Sequence, residues 1–112
     1  MKGEFPDRSD IFSVADWTHK RDDIRRLVMI LSPAEFNCFG TVLVCPIVDE
    51  AQRVRRHGFS VLLKGRSIKT RGAVLCHRMF TIDYRDLDPS WVETLPGAII
   101  EDVLARARTL ID

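Results

Sequence analysis

Residues 72–84 read Gly72-Ala-Val-Leu-Cys-His-Arg-Met-Phe-Thr-Ile-Asp-Tyr84. The apolar run Ala73 to Cys76 has the length and composition of a buried strand. His77 and Arg78 then set an imidazole beside a guanidinium before apolar residues resume at Met79. Neighbouring side chains in a strand point to opposite faces, so at most one of this pair faces the core side. Two outcomes are open. Either the strand reaches solvent here, or one of the two side chains lines a cleft.

Before this stretch, Phe59–Leu63 and Thr41–Val48 are further strand-like runs, and Lys64-Gly65-Arg66-Ser67 is a turn signal between strands. Arg26–Ser32 reads as a fully buried strand, and Asp10–Ala15, weakly alternating, as the first strand. Between them, Asp16–Arg25 carries acids and bases with Trp17 and His19, which predicts a long charged loop of a functional or mobile kind. Pro33–Asn37 predicts one helical turn, with Ser32 as its N-cap and Pro33 at its first position. Thr81–Tyr84 continues or bends the central strand, and Asp88-Pro89-Ser90 is a turn. After Pro96, Ile99, Ile100, Val103, Leu104, Ala107 and Ile111 share one helical face, and Asp102 can pair with Arg106. Trp91 is expected to pack under that helix, and residues 1–8 to form a loose arm. Short strands with one terminal helix make a mostly β chain with a C-terminal α-helix, a small antiparallel barrel occupying residues 1–112 as one domain.

The 112 residues suffice for a single core, and 46% hydrophobic with 29% charged residues is a globular balance. A net charge of +1 does not call for a polyanion partner, so any such argument rests on local clusters. Two exist: Arg53, Arg55, Arg56 and His57, then Lys64, Arg66, Lys69 and Arg71. The first is either a solvated loop or a phosphate-tracking segment. Trp17 either stacks on a base or covers the barrel. The three cysteines show no CxxC spacing; Cys45 and Cys76 lie in apolar runs and read as small buried hydrophobes. Neither they nor the three histidines have metal-ligand spacing, so no metal or cofactor is expected. No apolar stretch approaches a membrane span and no signal-peptide core opens the chain, which fits a reducing cytoplasm.

From Ser9 to the terminal helix the chain resembles the MazF/PemK toxin family. Arg26-Leu-Val-Met-Ile-Leu-Ser-Pro-Ala-Glu-Phe-Asn37 looks like the family's Arg-Pro, apolar strand, Ser/Thr-Pro-x-x-Phe-Asn segment. Cys45-Pro-Ile-Val48 is similar to its strand ending Pro-Ile/Val-Thr, and Arg55-Arg-His-Gly-Phe-Ser-Val61 to its Ala-Arg-x-x-Gly-Phe-x-Val. Gly72–Cys76 and Thr81-Ile-Asp83 bracket the central strand at the family's spacing. The resemblance implies an SH3-like β-barrel of the CcdB-like type, a homodimer, and the toxin half of a type II toxin–antitoxin module. It further implies metal-independent cleavage of single-stranded mRNA, neutralisation by the acidic tail of a cognate antitoxin, and operator DNA bound only together with that antitoxin.

The departures from the family pattern fall on its chemistry. Arg26 is kept but its proline is Leu27, the strand-end threonine is Val48, and the family's Asp-Gln is His77-Arg78. Leu75 stands where Kid-like members carry a functional arginine, and Asp49-Glu50 add negative charge beside the phosphate site. The expectation is a toxin whose altered centre cleaves weakly or not at all. One alternative is an active endoribonuclease in which His77 is base, His19 acid, and Arg26 with Arg78 stabilise the phosphorane. Others are a non-catalytic dimeric regulator that binds antitoxin or RNA through Trp17, Arg53, Arg55 and Arg56, and a CcdB-like inhibitor of a protein target.

Overall fold

Side-chain alternation along three neighbouring strands sets the architecture. β1 (Asp10–Asp16), β2 (Arg21–Ile30) and β3 (Thr41–Val48) pair antiparallel in that order. Ile11, Met29, Leu31, Cys45 and Ile47 fall in one buried cluster, and Phe12, Val14, Val28, Ile30, Val42 and Val44 in a second. Odd and even positions thus cover opposite faces, and the central sheet is buried on both. This is seen in a computed structural model that describes residues 5–16, 21–49 and 59–111, with backbone alone for 21–23.

β4 (Ser60–Leu63), β5 (Gly72–Leu75), β6 (Phe80–Asp83) and β7 (Ser90–Thr94) complete a seven-stranded sheet of order β4-β5-β3-β2-β1-β7, with β6 also paired to β3. The sheet curls into a half-barrel, the SH3-like form expected. α1 is the single turn Ala34–Asn37, and α2 (Gly97–Thr109) buries Ile100, Val103 and Ala107. The Asp102–Arg106 pair forms at 2.8 Å, but Ile111 lies beyond the helix and is 77% exposed.

The central stretch breaks where β3 cannot hold it. Ile47 and Val48 pair with Val74 and Ala73 of β5, and Thr41–Val44 pair with β6. Among the described residues, Cys45 and Pro46 have no ladder partner on that side, and Pro46 carries no N–H to offer one. Opposite this gap the chain leaves strand geometry, and Cys76–Arg78 forms one 3-10 turn. The strand therefore ends at Leu75, and strict alternation does not govern His77 and Arg78.

Several expectations need correction. Residues 21–25, assigned to the charged loop, belong to β2, whose first half runs beyond the β3 pairing and holds its charge because Arg25 bonds Ser13 of β1 and Asp88. Ser32 is not a helix cap: its hydroxyl donates to Asn37 Oδ1 (2.5 Å) and accepts from Leu43 N–H. The first amide of α1 is met instead by Asp7 Oδ1 at 3.0 Å. Residues 5–8 are not loose, since Pro6 is buried, its carbonyl accepts from Asn37 Nδ2 at 2.7 Å, and Arg8 Nε donates to Leu31 O. Residues 90–94 form an additional strand, which places Trp91 on β7 with its Nε1 toward Asp10, half exposed rather than under α2.

Candidate functional site

Three local features build a cleft at the β3–β5 seam. The first is Gly72, at φ +126, where a Cβ would collide with the Val48 carbonyl oxygen. Only glycine lets β5 approach the end of β3 this closely, and that approach fixes Val48. The second is the 3-10 turn, which ends the strand and swings Arg78 out to solvent beside Pro46. The third is Arg26 on β2, opposite Val14, which shares an ion pair at 3.4 Å with Asp16. The Asp16 side chain is fully buried and that of Arg26 about half exposed (0% and 49%), so the carboxylate anchors a guanidinium that still meets water.

Together these elements enclose about 340 Å³ lined by Arg26, Leu27, Pro46, Ile47, Val48, Leu75, Arg78 and Phe80. Two guanidiniums face a floor that is otherwise apolar. Each arginine stays charged at any ordinary pH, so the pair binds anions and stabilises negative charge but does not act as a general base.

The predicted site residues are only partly brought together. Arg26 and Arg78 line the same cleft, as do Val48 and Leu75. His77 does not line it: its ring lies 6.2 Å from the ring of Phe59, centroid to centroid. His77 Nδ1 is buried and, among the described residues, has no hydrogen-bond partner. His19, Trp17, Arg53, Arg55, Arg56 and Glu50 lie outside the described residues.

Two acids escape a reading of the sequence. Asp16 closes β1 rather than opening a loop, and its position directly after an apolar run is the signal of a strand-end residue. Glu93 of β7 is buried, and its Oε2 accepts from the Thr70 amide (2.6 Å), the Thr70 hydroxyl (2.6 Å) and the Lys69 amide (3.1 Å). Burial opposes its ionisation, but the Thr70 hydroxyl, the two amides and the Lys69 charge outweigh it and hold the carboxyl below the usual glutamate range. Cys45 and Cys76 are buried free thiols, as expected. Burial, with Cys76 nearby, pushes the Cys45 thiol far above the ordinary range. Burial likewise lifts Cys76 to about 11, against a lowering by Arg106.

Comparison with known proteins agrees with this architecture. The family model described as PemK-like, MazF-like toxin of type II toxin-antitoxin system matches residues 7–111. The Endoribonuclease PemK of Escherichia coli is 34% identical over 87 residues, covering 77% of this chain and 65% of PemK, a little under two thirds of that relative's length. Among solved structures, MazE-MazF from Deinococcus radiodurans superposes with a TM-score of 0.81 at 22% identity, covering 97% of each chain. An endoribonuclease in complex with its cognate antitoxin from a Mycobacterial species superposes with a TM-score of 0.77 at 16% identity, covering 95% of this chain and 94% of that one. No helix among the described residues is long and apolar enough to cross a membrane. On the match over residues 7–111, the chain belongs to the PemK-like, MazF-like toxin family of type II toxin–antitoxin systems.

Proposed function

We propose that this toxin-family protein holds single-stranded RNA in the Arg26–Arg78 cleft and turns it over weakly or not at all. One observation carries the reading: among the described residues, the cleft lining holds two permanent cations and no group that titrates near neutrality. The guanidiniums suit phosphate oxygens. A strand-end hydroxyl that could bind a phosphate oxygen is replaced by the apolar branch of Val48. The protein acts in the cytoplasm as a homodimer with a cognate antitoxin whose acidic tail competes for the same cations, and meets operator DNA only jointly with it. Exposed Phe36 and Ile111, which line an apolar cleft beside α2, support self-association.

The test is 5′-labelled single-stranded RNA incubated with pure protein, with chelator and with magnesium. Binding that weakens on Arg26→Ala, without product above the background rate, is expected. Multiple-turnover cleavage in chelator leaving cyclic phosphate ends overturns it. A second reading has its own support in the unpartnered His77 Nδ1, since a buried polar atom without a partner suggests one supplied by substrate or a second protomer. In that reading His77 is the base, His19 the acid, and His77→Ala abolishes cleavage; unchanged cleavage rules it out.

A further inference from the structure

A second concave surface lies where the chain leaves β3 at Asp49 and enters β5 at Gly72. It encloses about 630 Å³ beside the β4–β5 loop and presents Lys64, Arg66 and Arg71, with Asp49 as its one acid among the described residues. All three cations are exposed, yet the loop that carries them is fastened at its base. Ile68 is buried in the core, the Lys69 and Thr70 amides donate to Glu93, and Arg71 Nη1 donates to the Ile68 carbonyl at 3.0 Å. Gly65, at φ +130, makes the turn between Lys64 and Arg66. Charges on a fixed loop lose less freedom on binding than charges on a floppy one.

The two surfaces are contiguous along the chain. Val48 lines the first and Asp49 the second; Leu75 lines the first and Gly72, on the same strand, the second. Resting on the reading under "Proposed function", we propose that Lys64, Arg66 and Arg71 form a second phosphate-tracking subsite that receives the backbone of single-stranded RNA as it leaves the Arg26–Arg78 cleft. An extended polyanion crosses from one cleft to the next over the Val48–Ala73 pair, meeting cations on both sides. Asp49, at the crossing, is a local penalty that makes the three cations beyond it necessary for long substrates.

The experiment compares binding of non-cleavable, 2′-deoxy-substituted oligomers of about four and about twelve nucleotides, by fluorescence anisotropy across a salt series. The protein variants are Lys64→Gln/Arg66→Gln/Arg71→Gln and the charge-keeping Lys64→Arg/Arg66→Lys/Arg71→Lys. The glutamine variant is expected to bind the long oligomer at least tenfold more weakly and the short one unchanged. Its log affinity against log salt becomes shallower by about 2, at about 0.7 for each phosphate no longer neutralised. The charge-keeping variant retains the wild-type slope. Equal behaviour of wild type and glutamine variant on the long oligomer overturns the proposal, as does weakened binding in the charge-keeping variant. So does loss of binding to an acidic peptide alone, which assigns the surface to a protein partner. The two readings fail separately: short-oligomer binding indifferent to Arg26→Ala removes the first cleft, whereas absence of a length gain removes only the second.

Discussion

Glu93 Oε2 and Thr70 are joined twice, by the threonine amide and by its hydroxyl, each at 2.6 Å. β7 and β4 are the two edges of the sheet, and Thr70 lies in the segment leading into β5 beside β4. The half-barrel is therefore drawn together by a carboxylate rather than by a strand ladder.

Glu93→Ala leaves buried amide and hydroxyl donors unpaired, for an expected loss of about 2 to 4 kcal/mol in urea unfolding. The pH dependence follows from the lowered carboxyl. Its stabilisation is present above the unfolded glutamate pKa and is lost as pH falls through the folded value. Wild type should lose stability on acidification more steeply than Glu93→Gln. Parallel acid profiles of the two proteins would show that the clamp contributes no linkage.

Gly72→Ala tests the close approach at the seam. The substitution meets both a positive φ and the Val48 carbonyl oxygen, so destabilisation of at least about 2 kcal/mol is expected. Gly65→Ala, where the nearest atom to an added Cβ is Ile68 Cδ1 at 4.0 Å, carries the φ penalty without the collision and should cost less. Equal melting losses for the two variants would contradict a steric role for the Val48 carbonyl.

The buried thiols make stability fall at alkaline pH. An unfolded cysteine ionises near about 8.5, whereas folded Cys76 holds its proton up to about 11 and Cys45 beyond that. The unfolded state thus loses protons first, and stability present below the unfolded value declines as pH rises through the folded ones. Cys45→Val, which removes one ionisation, should flatten the decline in urea midpoint above neutrality. In the same range, alkylation of native protein should occur at Cys38 and spare Cys45 and Cys76 until unfolding.

The regular parts of this fold were legible because the residues state them redundantly. Thr41–Val48 is apolar after its first residue and became β3 with those limits, and the face of α2 was visible from Ile100, Val103 and Ala107. The boundary of β2 was hidden because edge residues such as Arg25 take partners distant in sequence, here Asp88. Ser90–Thr94 was hidden because Glu93, a poor strand former by type, is the residue its neighbours need. At the site, Arg26 and Arg78 were legible as guanidiniums, and both line one cleft. His77 was not, because its direction depends on a turn imposed by Pro46 on a different strand. Neighbourhood in sequence put His77 and Arg78 together; the 3-10 turn separates them.

That separation yields a prediction about the chemistry of the proposed function. Val48 and Leu75 line the cleft, and the resemblance implies a threonine and an arginine at their positions, whereas His77 lies against Phe59. Restoring a hydroxyl and a cation in the cleft with Val48→Thr/Leu75→Arg should raise metal-independent cleavage of single-stranded RNA on the order of a hundredfold, the scale of one recovered transition-state donor. Leu75 is buried, so the variant's melting point must be measured alongside, and Val48→Thr alone provides a milder step. His77→Asp by itself should leave the rate unchanged, because a carboxylate there starts outside the cleft lining. If His77→Asp alone raises cleavage while the double variant, folded, does not, then the chemistry sits at the turn and the Arg26–Arg78 cleft is not where the bond is broken.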